Sequence, residues 1–366
     1  MIFVTQPSLA PLEEYTQLLA GVWERGILTH NGPLVQQLER DLCSKLEIDS
    51  FVAVSNGTIA LQMAIKALGL SGSGGEIITT PFTWVATLSA IQWEGCTPVF
   101  CEIQADTFNI DPAKIEACIT EHTVAIMPVH VFGNPCDVDA IATIARSHGL
   151  KVIYDAAHAI GSTYKGRSVL DYGDISATSL HATKILNAGE GGGCVTRDPE
   201  LHAKLKRIRF FGHDDDKDIV EEGLNGKMTE VHAALGLANL KYYDEVLADR
   251  KSKYLLYKEL LADTPELTFQ ALEIGEANCS YFPLVFESEA HVLAAERRLL
   301  DNEIMPRRYF YPAANTLKAI VANAPVMVIA ENIASRVLCL PLYWSLGRAE
   351  IQKISRCIAA IPADSR

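Results

Sequence analysis

The run Val152-Ile153-Tyr154-Asp155-Ala156-Ala157-His158, followed by Ile175-Ser176-Ala177-Thr178-Ser179-Leu180-His181-Ala182-Thr183-Lys184, decides the fold. Each segment opens as a short apolar strand and ends in residues that carry charge or hydroxyl groups. Outward from this pair, strand-like runs fall at Glu76–Thr79, Pro98–Cys101, Ala125–Val129 and Gly193–Thr196. Helical patterns lie between several of them, at Val35–Leu46, Thr58–Leu68, Val85–Glu94, Pro112–Cys118 and Val138–His148. Strands alternating with crossover helices predict an α/β domain built on a mainly parallel sheet. Such sheets collect ligands beyond the carboxyl ends of their strands. The polar residues fall there.

Near Glu230 the pattern changes. Apolar residues at helical spacing predict one long helical stretch from Thr229 to about Leu261, suited to connect two domains. A strand (Ser280–Phe286), a helix (Glu289–Asn302), a Pro/Tyr-rich loop (Pro306–Pro312) and a last helix from Arg348 follow. We therefore expect a large domain over residues 1–240, including the N-terminal segment, and a smaller α+β domain over 241–366.

With 366 residues, 49% hydrophobic and 21% charged, the composition is that of a compact enzyme-sized protein. A net charge of −13 supplies no basic surplus to neutralise nucleic-acid phosphates. The nine cysteines are scattered without a C-x-x-C pair, which predicts reduced thiols in the cytoplasm rather than a disulfide framework or zinc site. The start, Met1-Ile2-Phe3-Val4-Thr5-Gln6-Pro7, lacks a signal-peptide pattern, and no apolar run approaches the roughly 20 residues that span a bilayer. The acidic run Asp214-Asp215-Asp216 reads as a solvated loop, with metal binding as the weaker alternative, and no metal is expected.

The chemistry rests on a few side chains. A carboxylate at a buried strand end, Asp155, can pair with a protonated pyridine nitrogen and keep the ring an electron sink. His158 lies within reach of the ring's phenolic oxygen. Lys184, between an apolar strand and the turn Gly189-Glu190-Gly191-Gly192-Gly193, reads as a desolvated amine able to form a Schiff base and shuttle protons. Ser179 offers a hydroxyl to a phosphate, and Gly57-Thr58 opens a helix whose free N–H groups suit the same anion. Trp84 can stack on a ring. Taken singly, each has a structural reading: Asp155 and Thr58 as caps, Lys184 as a surface charge, Trp84 as core. Their chain order, each at a strand end or helix start, points to pyridoxal phosphate.

The segments Ser55–Ala64 (SNGTIALQMA), Thr80–Thr87 (TPFTWVAT), Pro128–Ile141 (PVHVFGNPCDVDAI), Asp155–Gly161 (DAAHAIG), Ser179–Gly192 (SLHATKILNAGEGG) and Gly223–Gly236 (GLNGKMTEVHAALG) resemble the DegT/DnrJ/StrS family of nucleotide-sugar aminotransferases. The resemblance runs from Asn31 to Leu342. It implies a fold-type I enzyme dependent on pyridoxal 5′-phosphate: a large domain with a mainly parallel seven-stranded sheet, plus a smaller C-terminal α+β domain. It assigns the cofactor bond and proton transfer to Lys184, the ring nitrogen to Asp155, the phenolic oxygen to His158, stacking to Trp84, and the phosphate to Gly57, Thr58 and Ser179. Asn225 would reach the phosphate bound to a neighbouring subunit, which implies a homodimer with shared sites. Glu190, Arg307, Arg308 and Tyr309 are candidates for the substrate pocket.

Two departures stand out. Gly226 and Lys227 follow Asn225 where the family often has an aromatic residue and an arginine, and Arg307-Arg308-Tyr309 replaces a usual His-Tyr pair. The implied reaction moves the amino group of L-glutamate to the C-4 keto group of a nucleotide-linked sugar. The nearest pattern is that of enzymes making 4-amino-4,6-dideoxyglucose on dTDP for surface polysaccharides. The alternatives are C-3 amination or dehydration on the same fold, an amino-acid enzyme of the same fold class, and a non-catalytic cofactor-binding regulator.

Overall fold

The computed structural model describes residues 1–272 and 274–361. The last five residues of the expected C-terminal domain lie outside the described residues. The chain opens with a two-residue strand, β1 (Ile2–Phe3), and two helices, α1 (Leu12–Arg25) and α2 (Pro33–Leu46). Helix α2 starts on a proline, whose missing N–H costs nothing at that position, and buries Leu34, Val35, Leu38, Leu42 and Leu46 along one stripe.

Seven strands form the central sheet: β2 (Val52–Val54), β3 (Glu76–Thr79), β4 (Thr97–Phe100), β5 (Thr123–Ile126), β6 (Lys151–Asp155), β9 (Ile175–Ser179) and β10 (Gly192–Val195), after the small hairpin β7 (Thr163–Tyr164) and β8 (Arg167–Ser168). Their spatial order is β2-β10-β9-β6-β5-β3-β4. β10 runs antiparallel to both neighbours and the other pairings are parallel. Strands covered by helices on both faces read as continuous apolar runs, which is why β6 and β9 are legible in the sequence. Helices α3 (Gly57–Ala67), α4 (Val85–Trp93), α5 (Pro112–Ile115), α6 (Val138–His148) and α7 (Pro199–Arg209) make or flank the crossovers. β3 and β9 coincide with the expected runs, and the edges of the other expected strands of this sheet shift by one to three residues. The expectations omitted β1, β2, β7, β8, α1 and α7.

The long helix expected over Thr229–Leu261 is two helices, α8 (Glu230–Leu240) and α9 (Tyr243–Leu261). At the break, Glu14 of α1 accepts from Lys241 Nζ at 2.6 Å and from the Tyr242 hydroxyl. After α9, strands β11 (Leu267–Phe269), β12 (Phe282–Phe286) and β14 (Val337–Leu340) form an antiparallel sheet, packed with α9, α10 (Glu289–Asp301), α11 (Val328–Arg336) and α12 (Arg348–Ala359). The N-terminal segment departs from expectation. β1 pairs in parallel with β13 (Ile304–Met305), and Ile2 joins the core of Tyr257, Phe282, Leu338 and Ile354. We propose that the two units divide at Lys241–Tyr242, with β1 serving the second. A further core, containing Phe82, Phe108, Phe132, Tyr281, Tyr309 and Phe310, carries residues of both.

Candidate active site

A cavity of about 680 Å³ opens above this aromatic core, at the carboxyl ends of β6 and β9. It is lined by ten of the twelve residues singled out from the sequence: Gly57, Thr58, Trp84, Asp155, His158, Ser179, Lys184, Glu190, Arg307 and Tyr309.

Asp155 ends β6, paired with Ala177 of β9 and fixed by its own N–H to Pro128 O at 2.9 Å. Its carboxylate accepts from Thr87 Oγ1 at 2.7 Å and from the Ala157 N–H at 3.1 Å. Thr83 and Thr87 share a further hydroxyl contact of 2.8 Å. Burial pushes the Asp155 pKa up, opposed by the Thr87 hydroxyl, the Ala157 N–H and the charge of Lys184. A buried carboxylate of this kind gains most from a cationic partner.

Lys184 lies in the connection between β9 and β10. Backbone bonds from Leu180 N to Gly191 O, Ala182 N to Gly189 O and Lys184 N to His181 O, each 2.8 Å, hold that loop against itself. Gly189, at φ +75°, supplies the left-handed turn this requires. The side chain keeps some surface along the cavity, but its amine is enclosed by protein, 3.5 Å from the Tyr281 hydroxyl. Burial depresses its pKa to about 8, with Asp155 opposing the shift and Arg307 adding to it. A substantial share of the amine is therefore neutral near pH 8, which a nucleophile and proton carrier needs.

The His158 ring lies 4.7 Å from Tyr281 and stacks 5.8 Å from Phe310. Burial, then the charge of Lys184, holds its pKa well below the usual range, so the imidazole is neutral. Its Nδ1 is buried without a hydrogen-bond partner among the described residues, a donor or acceptor awaiting one.

Helix α3 is capped by Asn56, whose side chain accepts from Ile59 N at 2.9 Å. That leaves the Gly57 and Thr58 N–H groups without an acceptor among the described residues. Ser179 stands against the same turn: a Cβ on Gly57 would come 3.1 Å from the Ser179 Cβ. The glycine thus keeps open a cradle of N–H groups and a hydroxyl, suited to a phosphate. Trp84 is the N-cap residue of α4 and is 52% exposed, lining the cavity.

Two expected residues lie elsewhere. Arg308 is turned out of the cavity; its Nη2 donates to Glu289 Oε1 at 2.6 Å and to Ser335 O at 2.8 Å. Asn225 is outside the cavity of its own chain, bridged to Phe210, with Lys227 Nζ donating to its Oδ1. It is nonetheless close by in the backbone, since Ser55, which lines the cavity, donates to Gly226 O at 2.8 Å. Thr87 and Tyr281 were given no role from the sequence. Thr87 sits inside the quoted TPFTWVAT segment, and Tyr281 lies in the expected strand Ser280–Phe286, but neither position carries a pattern that distinguishes it from core.

These groups fit pyridoxal phosphate: an anion cradle with unpaired N–H groups, a buried carboxylate, an enclosed amine, an orphaned imidazole nitrogen and an exposed indole. Sequence comparison agrees. The model of the DegT/DnrJ/EryC1/StrS aminotransferase family matches residues 12–359. A dTDP-4-amino-4,6-dideoxy-D-glucose transaminase of Shigella dysenteriae is 43% identical, covering 98% of this chain and 99% of the relative. One of the same description from Escherichia coli is 40% identical, covering 97% of each. Among solved structures, DesI in the presence of its TDP-sugar product superposes with a TM-score of 0.92 at 32% identity, over 98% of this chain and 92% of that one. The chain belongs to the DegT/DnrJ/EryC1/StrS family of aminotransferases, enzymes that work with pyridoxal 5′-phosphate.

Proposed function

We propose that this aminotransferase moves the amino group of L-glutamate to C-4 of dTDP-4-dehydro-6-deoxy-D-glucose, giving dTDP-4-amino-4,6-dideoxy-D-glucose for surface polysaccharide. The carrying observation is the full-length identity, 43% and 40%, to two transaminases named for that amino-sugar. The bound cofactor supplies an electron-poor ring that stabilises negative charge on the carbon beside the transferred nitrogen. The protein's residues do the rest. Gly57, Thr58 and Ser179 would hold the cofactor's phosphate, Trp84 would stack on its ring, and Asp155, its carboxylate fixed by Thr87, would pair with the ring nitrogen. His158, kept neutral, would serve the phenolic oxygen. Lys184 would hold the cofactor, and its amine would take a proton from the donor's α-carbon and give one to the sugar carbon.

We propose further that two copies associate and that Asn225 completes the partner's phosphate cradle. Exposed apolar side chains support an interface of this kind: Leu9, Leu12, Trp23 and Leu28 near the N-terminus, and Phe211, Ile219 and Val220 beside Asn225. No described helix is long and apolar enough to cross a membrane. Nine free cysteines support a cytoplasmic site of action. The test is a panel of nucleotide-linked keto-sugars on dTDP and GDP, incubated with holoenzyme and glutamate and read by product mass. The dTDP 4-keto sugar should be converted fastest; preference for a GDP sugar would refute the assignment.

A further inference from the structure

We infer that Arg307 anchors a carboxylate of the amino donor, L-glutamate, an inference that rests on the aminotransferase reading. Among the residues lining the cavity, Lys184 and Arg307 are the lysine and arginine. Lys184 is committed to the cofactor and the proton. Among the described residues lining this cavity, Arg307 is therefore the remaining fixed positive charge open to a substrate, and the donor brings two negative ones.

Arg307 is also prepared for the task. Its backbone is clamped to Cys339, with N–H to O distances of 3.1 and 2.9 Å in the two directions. Its guanidinium lies 4.8 Å from the centre of the Tyr309 ring and 5.7 Å from that of Trp84. No carboxylate pairs with it among the described residues, whereas its neighbour Arg308 is taken by Glu289. A guanidinium propped between aromatic faces with its donors unspent suits a planar carboxylate, which it can grip with two parallel bonds.

The alternative anion is the diphosphate of the sugar substrate. It lies across the sugar ring from the reacting carbon, whereas a carboxylate of the donor sits one bond from it. Arg307 lies against Tyr309, whose ring centre is 4.9 Å from that of Tyr281, and the Tyr281 hydroxyl is 3.5 Å from the Lys184 amine, close to where the reacting carbon must come. The short donor fits that position better.

The first half-reaction tests this without any sugar: holoenzyme is mixed with glutamate and the change in cofactor absorbance is followed against glutamate concentration. Losing a charge-assisted hydrogen bond should raise the half-saturating glutamate concentration about 10- to 100-fold in Arg307→Gln. Arg307→Lys should recover part of the loss. A parallel titration with L-alanine assigns the contact: equal loss indicates the α-carboxylate, and no loss indicates the distal one. Either result, with glutamate weakened, upholds the inference. Half-saturation by glutamate within twofold of the parent overturns it, including when only the keto-sugar KM rises, which would give Arg307 to the diphosphate. A parent enzyme without any glutamate half-reaction would instead refute glutamate as donor.

Discussion

Thr87→Val removes one hydroxyl and almost no volume, so it isolates the bond that steadies Asp155. Among the described residues the carboxylate has two hydrogen-bond donors, Thr87 Oγ1 at 2.7 Å and the Ala157 N–H at 3.1 Å. The substitution deletes the shorter one. Asp155 is 5% exposed, so bulk water has little access to replace it. A hydrogen bond to a charged group is worth about 1.5–3 kcal/mol, and a factor of ten in affinity corresponds to about 1.4 kcal/mol. Less well held, the carboxylate is a poorer partner for the cofactor's ring nitrogen. The dissociation constant for pyridoxal phosphate should therefore rise about 10- to 100-fold. Absorbance titration of cofactor-free protein measures it, and Thr87→Ser, which restores the hydroxyl, should return to within about threefold of the parent. A Thr87→Val protein that binds the cofactor as tightly as the parent would refute the role given to this hydroxyl.

Other outcomes follow from single contacts. In cofactor-free protein, amine-directed labelling of Lys184 should have its midpoint near pH 8, because burial depresses this pKa to about 8 from an ordinary 10.5; a midpoint near the ordinary value would contradict the enclosed amine. Labelling should increase as pH rises through that midpoint, since the neutral form reacts. Gly193→Ala would place a Cβ 2.1 Å from Phe51 Cζ, in the core beneath β10. Overpacking of this kind costs about 1–3 kcal/mol, so the urea midpoint should fall, and an unchanged midpoint would contradict the packing. Arg308→Ala should leave the KM for both substrates within about twofold of the parent, because its guanidinium is spent on Glu289 and Ser335. A large rise in either KM would return Arg308 to the substrate pocket.

Much of the site was legible because chemistry sits at strand ends. β6 and β9 are buried on both faces, so their apolar runs are continuous, and Asp155 and Lys184 stand out where each run stops. The helix start at Gly57 was legible from Asn56 and the glycine together. What stayed hidden depends on contacts between distant segments. Thr87 lies 68 residues before Asp155, and Tyr281 lies 97 after Lys184. No local periodicity reports such pairings. The adjacent arginines differ in their partners: Glu289 and the Ser335 carbonyl take Arg308 out of the cavity, and the sequence carries no sign of that choice. The break at Lys241–Tyr242 was invisible because apolar spacing continues across it.

The central claim is transfer of nitrogen from glutamate to C-4 of a dTDP-linked sugar. It is tested most directly with ¹⁵N-labelled L-glutamate, holoenzyme and dTDP-4-dehydro-6-deoxy-D-glucose, followed by NMR of the purified nucleotide sugar. The label should appear on C-4 of the sugar, with one 2-oxoglutarate formed for each amino-sugar. Label on C-3, or 2-oxoglutarate formed without a labelled sugar, would contradict the account.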